Sequence, residues 1–92
     1  MVNCKIEIIN PMGLHLRPAM ELCEEAQKYG ASIYLKVRHV QANAKSVLNI
    51  LAAGIRLHDE IEIVCEGEDE EEAMFAIKRF LSKNIGKVVV EE

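Results

Sequence analysis

The segment Gly13–Ala19 contains the residues best suited to chemistry, in the order Gly-Leu-His-Leu-Arg-Pro-Ala. Pro18 is typical of a first helical turn, because a missing backbone N–H costs least there. His15 is therefore predicted at or just before a helix start. At such a place, unpaired backbone N–H groups and the positive end of the helix dipole favour a bound anion.

A histidine and an arginine two residues apart at a helix start suit a phosphoryl group. An ordinary imidazole, with a pKa of about 6.5, is largely neutral near neutral pH and has a nucleophilic nitrogen lone pair. The guanidinium of Arg17 can donate to two phosphoryl oxygens at once. A histidine in this place is also commonly a helix cap or a surface residue, so residue types and spacing leave both interpretations open for His15.

Alternating apolar and polar residues predict three strands, each with one buried face. The apolar positions are Val2, Cys4, Ile6 and Ile8, then Ile33, Leu35 and Val37, and then Ile61, Ile63 and Cys65. This one-sided alternation predicts an antiparallel sheet that is covered on a single face.

Apolar residues at helical spacing predict two longer helices. The stripes consist of Ala19, Leu22, Cys23 and Ala26 in the first helix, and of Ala73, Met74, Ile77, Phe80 and Leu81 in the second. We expect Gly30 to end the first helix in the left-handed conformation. Asp69 and Glu72 have the spacing of a capping box at the start of the second helix.

Between these elements, Val40–Asn43 is interpreted as a short edge strand, and Ser46 as the N-cap of a short helix that ends at Gly54. The predicted order is βαββαβα, in one domain that covers residues 1–92. Residues 83–92 are left open, because Val88–Val90 fits either an extra edge strand or a tail.

Composition is that of one small globular domain: 92 residues, 50% hydrophobic and 28% charged. No apolar stretch is long enough to cross a membrane, and the early charges Lys5 and Glu7 argue against a signal peptide, so we expect a cytoplasmic protein. Three cysteines without a CxxC pair indicate reduced thiols. His39, His58 and the cysteines lack metal-ligand spacing, so neither a metal nor a cofactor is expected.

Charge is divided unevenly along the chain, whose net charge is −4. Residues 1–58 contain seven Lys/Arg and four acidic residues, whereas the remainder is strongly acidic. With 4% aromatic residues and no Trp, the chain lacks the basic and aromatic surface of a nucleic-acid binder. The mildly positive front part favours an anionic ligand or an acidic protein partner.

Three segments together resemble the HPr family, the histidine-containing phosphocarriers of the phosphoenolpyruvate-dependent sugar phosphotransferase system. They are Gly13–Ala19, Asn43–Ser46 and the acidic stretch Glu66–Glu71. The resemblance extends over nearly the whole chain, up to about Leu81. It implies an α+β fold, an open-faced β-sandwich in which a four-stranded antiparallel sheet carries three helices on one face.

The resemblance also implies roles for individual residues. His15 is expected to accept a phosphoryl group on Nδ1 from phosphorylated enzyme I and to donate it to enzyme IIA domains, with Arg17 stabilising the phosphoryl oxygens. This is a relay rather than a stand-alone enzyme. Ser46, besides capping its helix, matches the serine that HPr kinase/phosphorylase modifies in many relatives.

The short helix after Ser46 is apolar nearly all round, so part of it should be exposed. The resemblance implies that Val47, Leu48 and Leu51 contact enzyme I and enzyme IIA. Leu16, where most HPr sequences have alanine, adds a further apolar contact to the same partner-binding surface. We expect a monomer without membrane insertion.

Several departures from the family pattern keep alternatives open. Leu16 replaces a common alanine, Asn49 replaces a frequent glycine, and Met12 occupies a turn position that usually has a small or polar residue. Arg38–Val40 lacks a common turn glycine, which leaves the length of that hairpin open. A nitrogen-branch or regulatory HPr paralogue is therefore one alternative. A non-covalent ligand-binding regulatory domain is another, because ferredoxin-like modules have a similar order of elements.

Overall fold

The computed structural model describes residues 1–89. Its elements are β1 (Val2–Ile8), α1 (Leu16–Ala26), β2 (Ser32–Val37), β3 (Val40–Asn43), α2 (Val47–Ala52), β4 (Glu60–Glu66), α3 (Glu70–Asn84) and β5 (Gly86–Val88). The predicted order of the first seven elements is confirmed. In this part of the chain, no helix combines the length and apolar character needed to cross a membrane.

The strands form one antiparallel sheet in the order β3-β2-β4-β1-β5. β4 lies at its centre, where Cys65 is paired with both Val2 of β1 and Ile33 of β2. The predicted alternation is confirmed, since Ile61 and Ile63 are fully buried on the face that the three helices cover. Full burial of each such side chain contributes about 1.5–3 kcal/mol to folding.

The two longer helices cover this face with the apolar stripes that their spacing predicts. α1 buries Pro18, Ala19, Leu22, Cys23 and Ala26, and α3 buries Ala73, Met74, Ile77 and Leu81. Phe80, at the edge of the α3 stripe, is partly buried.

The expected left-handed helix end at Gly30 is wrong. α1 ends earlier, and its C-cap residue Gln27 has a right-handed backbone with φ −70°. The N–H groups of Gln27 and Lys28 donate to the carbonyls of Cys23 and Glu25, so the last turn is satisfied without a left-handed residue. By contrast, Gly54 follows α2 with φ +61°, as expected for a residue that ends a helix.

The capping box at the start of α3 is also wrong. Asp69 is the N-cap residue, but its side chain forms no capping hydrogen bond. Its carboxylate instead accepts the N–H groups of Gly30 at 2.9 Å and Ala31 at 2.8 Å. Asp69 therefore joins the start of α3 to the connection between α1 and β2.

A fifth, short strand extends the predicted four-stranded sheet. β5 pairs with β1 through Val88 opposite Ile6 and Gly86 opposite Ile8. Of the two alternatives left open by the sequence, the edge strand is therefore the one observed, although it begins before Val88. Val90, which that alternative included, lies outside the described residues.

Candidate functional site

The connection between β1 and α1, residues 9–15, contains a tight turn that requires glycine. The N–H of Gly13 donates to the carbonyl of Asn10 at 2.8 Å, and the Asn10 side-chain amide donates to the Gly13 carbonyl at 3.3 Å. Gly13 has φ +63°, and a Cβ atom there would lie 2.3 Å from the carbonyl oxygen of Ile55. The chain thus passes in close contact with Ile55 just before α1.

His15 is the N-cap residue of α1, as its distance from Pro18 predicts. Its backbone is extended, and its carbonyl accepts the N–H of Ala19 at 2.9 Å. The preceding Leu14 is buried and donates its N–H to the Ile55 carbonyl at 3.2 Å. The imidazole of His15 is half-buried and forms no capping hydrogen bond, so the side-chain cap that the residue types left open is not formed.

The first turn of α1 leaves hydrogen-bond donors unused beside His15. Within residues 1–89, the N–H groups of Leu16 and Arg17 have no acceptor, and Pro18 has no N–H to satisfy. The Arg17 side chain is exposed and forms no hydrogen bond or salt bridge with this part of the chain. Backbone donors, the helix dipole and a guanidinium thus make the start of α1 suitable for an anion such as a phosphoryl group.

Ser46 is the N-cap residue of α2, which confirms its predicted capping role. Its Oγ accepts the N–H of Asn49 at 3.2 Å, while its own N–H donates to the Asn43 carbonyl at 3.0 Å. The side-chain oxygen of Asn43 accepts the N–H of Lys45 at 2.9 Å. The Asn43–Ser46 segment is therefore a compact turn that sets the start of α2.

Comparison with known proteins decides the family. The family model described as "PTS HPr component phosphorylation site" matches residues 2–83. The chain belongs to the HPr family. It is 45% identical over 78 residues to the phosphocarrier protein HPr of Mycoplasma genitalium, which covers 84% of this chain and 89% of that protein.

Solved structures and a second relative agree with the HPr assignment. The structure of a histidine-containing phosphocarrier protein from Mycoplasma superposes with a TM-score of 0.87 at 34% identity, covering 89% of this chain and 93% of that one. The HPr-like protein Crh of Bacillus subtilis is 27% identical over 92% of this chain and 100% of its own length. The fold and the family are thus those of HPr phosphocarriers.

In this HPr chain, the side chains predicted to bind partners are exposed to different degrees. Leu48 is 79% exposed, Leu16 56% and Leu51 37%, whereas Val47 is half-buried. Ile50, on the opposite side of α2, is fully buried in the core. The expectation that part of the short apolar helix is exposed is therefore confirmed.

An open groove between α1 and α2 brings some of these HPr residues together and includes others that the sequence did not suggest. Leu16, Arg17 and Val47 line it, whereas Leu48 and Leu51 do not. The additional lining residues include Met20, Glu24 and Gln27. Met20, Glu24 and Gln27 follow Leu16 in successive steps of four, four and three residues, and this helical spacing was the signal that could have identified them.

Proposed function

We propose that this chain is a phosphocarrier in which His15 accepts a phosphoryl group from phosphorylated enzyme I and donates it to an enzyme IIA domain. The observation that carries the proposal is the half-buried imidazole of His15 at the N-cap of α1, beside the free N–H groups of Leu16 and Arg17. A monomer in the cytoplasm would suffice for this relay, because each transfer requires one partner at a time.

The proposed chemistry transfers the phosphoryl group between two imidazoles without hydrolysis. The lone pair of His15 Nδ1 attacks the phosphorus of the phosphohistidine on enzyme I. A new N–P bond forms as the old one breaks, and the departing imidazole of enzyme I takes the electron pair of the broken bond. Transfer to an enzyme IIA histidine repeats this exchange, with phosphorylated His15 as the donor.

The binding energy at the start of α1 fits a relay. A helix N-terminus contributes about 0.3–1 kcal/mol to an anion. A hydrogen bond from a charged group such as the Arg17 guanidinium contributes roughly 1.5–3 kcal/mol. Interactions of this size hold the phosphoryl group in place while allowing it to leave for the next partner.

We further propose that Leu16, Val47, Leu48 and Leu51 form the partner-binding surface for enzyme I and enzyme IIA. Exposed apolar side chains on adjacent helices favour transient association, because their contact area is removed from water on docking. Leu48 has the largest exposed fraction of the four. Leu48→Ala should therefore raise the KM of enzyme I for this chain more than Val47→Ala does, since Val47 is half-buried.

Ser46 is proposed as a regulatory phosphorylation site for an HPr kinase/phosphorylase. Its hydroxyl lies immediately before Val47 and Leu48, so a phosphate there would place about two negative charges beside the partner-binding surface. This charge should oppose docking of an acidic partner. Incubation with purified kinase and ATP, with Ser46→Ala as the control, tests the assignment by intact mass.

The phosphocarrier proposal is tested by incubating the chain with phosphoenolpyruvate and purified enzyme I. Intact mass spectrometry should show the addition of one phosphoryl group that is stable in base and labile in acid. His15→Ala should abolish this addition, whereas His39→Ala, which removes an exposed histidine, is the matched control and should leave the addition unchanged. Phosphorylation that persists in His15→Ala, or its absence from the parent chain, would contradict the proposal.

A further inference from the structure

The segment Ala53–Asp59, here called the 53–59 segment, contacts both ends of the connection that carries His15. At the first end, the N–H of Ile8 donates to the Asp59 carbonyl at 2.8 Å, and the N–H of His58 donates to the Ile8 carbonyl at 2.9 Å. At the other end, Leu14 donates its N–H to the Ile55 carbonyl at 3.2 Å. The position of residues 9–15 therefore depends on the shape of the 53–59 segment.

This segment has an unfavourable backbone of its own. Gly54 has φ +61° and His58 has φ +73°, and only glycine adopts such angles without a steric penalty. Two left-handed residues so close together need interactions from outside the segment to keep them in place.

One guanidinium supplies those interactions. Arg38 Nη2 donates to the carbonyls of Ala53 at 2.8 Å and Gly54 at 3.1 Å, and Nη1 pairs with the Asp59 carboxylate at 2.5 Å. The same carboxylate accepts the N–H of Arg56 at 2.8 Å. Arg38 thereby connects the beginning of the 53–59 segment to its end.

The ionisation of Asp59 is consistent with this arrangement. Burial raises the pKa of the Asp59 carboxyl. The hydrogen bonds from Arg38 and from the N–H of Arg56 together lower it by more, so the pKa lies below its ordinary value. The carboxylate therefore stays charged and available to the guanidinium at neutral pH.

Arg38 occupies a position where glycine is favoured. It lies in the two-residue turn between β2 and β3 with φ +54°, a left-handed angle that costs an arginine conformational energy. A residue kept in a strained conformation while its side chain makes three connections indicates a role for that side chain.

We propose that Arg38 is a positioning residue for phosphoryl transfer: by holding the 53–59 segment, it sets where Leu14 and the following His15 lie at the start of α1. This inference rests on the proposed function, because it concerns the reaction of His15. Arg38 acts through Ala53, Gly54 and Asp59.

The test uses Arg38→Gly, which removes the guanidinium and suits the left-handed turn, so the hairpin should remain folded. His39→Ala, in the same turn, is the matched control. We expect NMR hydrogen exchange of the Leu14 amide to accelerate at least about tenfold in Arg38→Gly, with shifted His15 ring signals. Asp59→Asn, which loses the ion pair, should change the same signals in the same direction. The control should leave them unchanged.

The kinetic arm measures phosphoryl transfer from phosphorylated enzyme I. Misplacement of the acceptor should lower kcat about tenfold or more while changing KM little, because the partner-binding surface is intact. Unchanged Leu14 exchange and His15 signals in both variants would overturn the proposal, as would changed signals with an unchanged kcat. If the parent chain accepts no phosphoryl group, the proposed function fails, whereas the NMR arm still decides whether Arg38 sets the position of Leu14 and His15.

Discussion

The position of His15 depends on neighbours that place opposite demands on the backbone. Gly13 must adopt a left-handed angle of φ +63° against the Ile55 carbonyl, whereas Pro18 restricts the first turn of α1 to a helical angle. Together they restrict the course of the chain between them. His15 is therefore placed mainly by backbone constraints on both sides and by the buried Leu14.

Replacement of Gly13 should destabilise the protein and disturb His15. In Gly13→Ala, the new Cβ would meet the Ile55 oxygen at 2.3 Å in a left-handed backbone, so we expect a loss of at least about 1–3 kcal/mol in the free energy of unfolding. Gly30→Ala is the matched control, because beyond its chain neighbours no atom lies within 4 Å of the place that the added methyl group would take. Urea denaturation measures both, and equal stabilities would contradict the prediction.

Arg17 should affect the rate of transfer more than stability. Its side chain is exposed and forms no hydrogen bond or salt bridge within residues 1–89, so Arg17→Ala should leave the free energy of unfolding within about 0.5 kcal/mol of the parent. Loss of a charged hydrogen bond to the phosphoryl group should slow transfer by roughly one to two powers of ten. Rapid-quench transfer assays with phosphorylated enzyme I measure the rate, and a parent-like rate would exclude this role.

Among the elements, α3 is joined at its start to the α1–β2 connection by the carboxylate of Asp69. The Asp69 oxygens accept the N–H groups of Gly30 and Ala31. These hydrogen bonds hold the acidic start of α3 next to the residues that precede β2. The hydrogen bond from Gly30 is the largest influence that lowers the pKa of the Asp69 carboxyl, and that from Ala31 adds to it. The attachment is therefore sensitive to acid.

The acid dependence of stability should change in Asp69→Asn. Because the folded carboxyl has the lower pKa, its stabilisation is complete above the unfolded value of 3.8 and is lost as the pH falls through the folded value. The variant should thus be less stable at neutral pH, and the difference from the parent should narrow in acid. Urea denaturation from neutral pH to below pH 3.8 measures the free energy of unfolding of both proteins, with the exposed Glu68→Gln as the control. A difference between parent and variant that stays constant over this range would contradict the prediction.

The helices and strands could be predicted from periodicity, because burial of one face requires apolar residues every second or every three to four positions. Their ends could not be predicted as well. Asp69 has a capping-box partner at the correct spacing, yet its carboxylate bonds to residues that are distant in sequence. Arg38 likewise occupies a turn position that local preferences assign to glycine. Its role could not be predicted from the sequence, because its contacts with Ala53 and Asp59 exist only in the folded chain.

Across the molecule, β4 is the strand on which the sheet depends. It pairs with β1 on one side and with β2 on the other, and its Cys65 is fully buried between them. Burial, with smaller contributions from the charges of Glu70 and Asp69, raises the pKa of the Cys65 thiol to about 11. This thiol is therefore both inaccessible and protonated in the folded protein.

Alkylation of Cys65 should report global unfolding. At a pH near 8, iodoacetamide should label the partly accessible Cys4 first, while Cys65 reacts only at the rate at which the sheet opens. Peptide mass spectrometry at increasing urea should show Cys65 labelling rise along the unfolding transition. Labelling of Cys65 as fast as Cys4 in native buffer would refute this expectation.

The strand order also determines when the sheet can assemble during synthesis. β1 emerges from the ribosome before the other strands, but the residue opposite Val2 is Cys65 of β4, so Val2 has no β4 partner until more than sixty further residues have been translated. The β2–β3 hairpin, by contrast, joins neighbouring residues and can close early. The nascent protein therefore passes through an interval in which β1 has no β4 partner, and a strand edge left unpaired in this way favours aggregation.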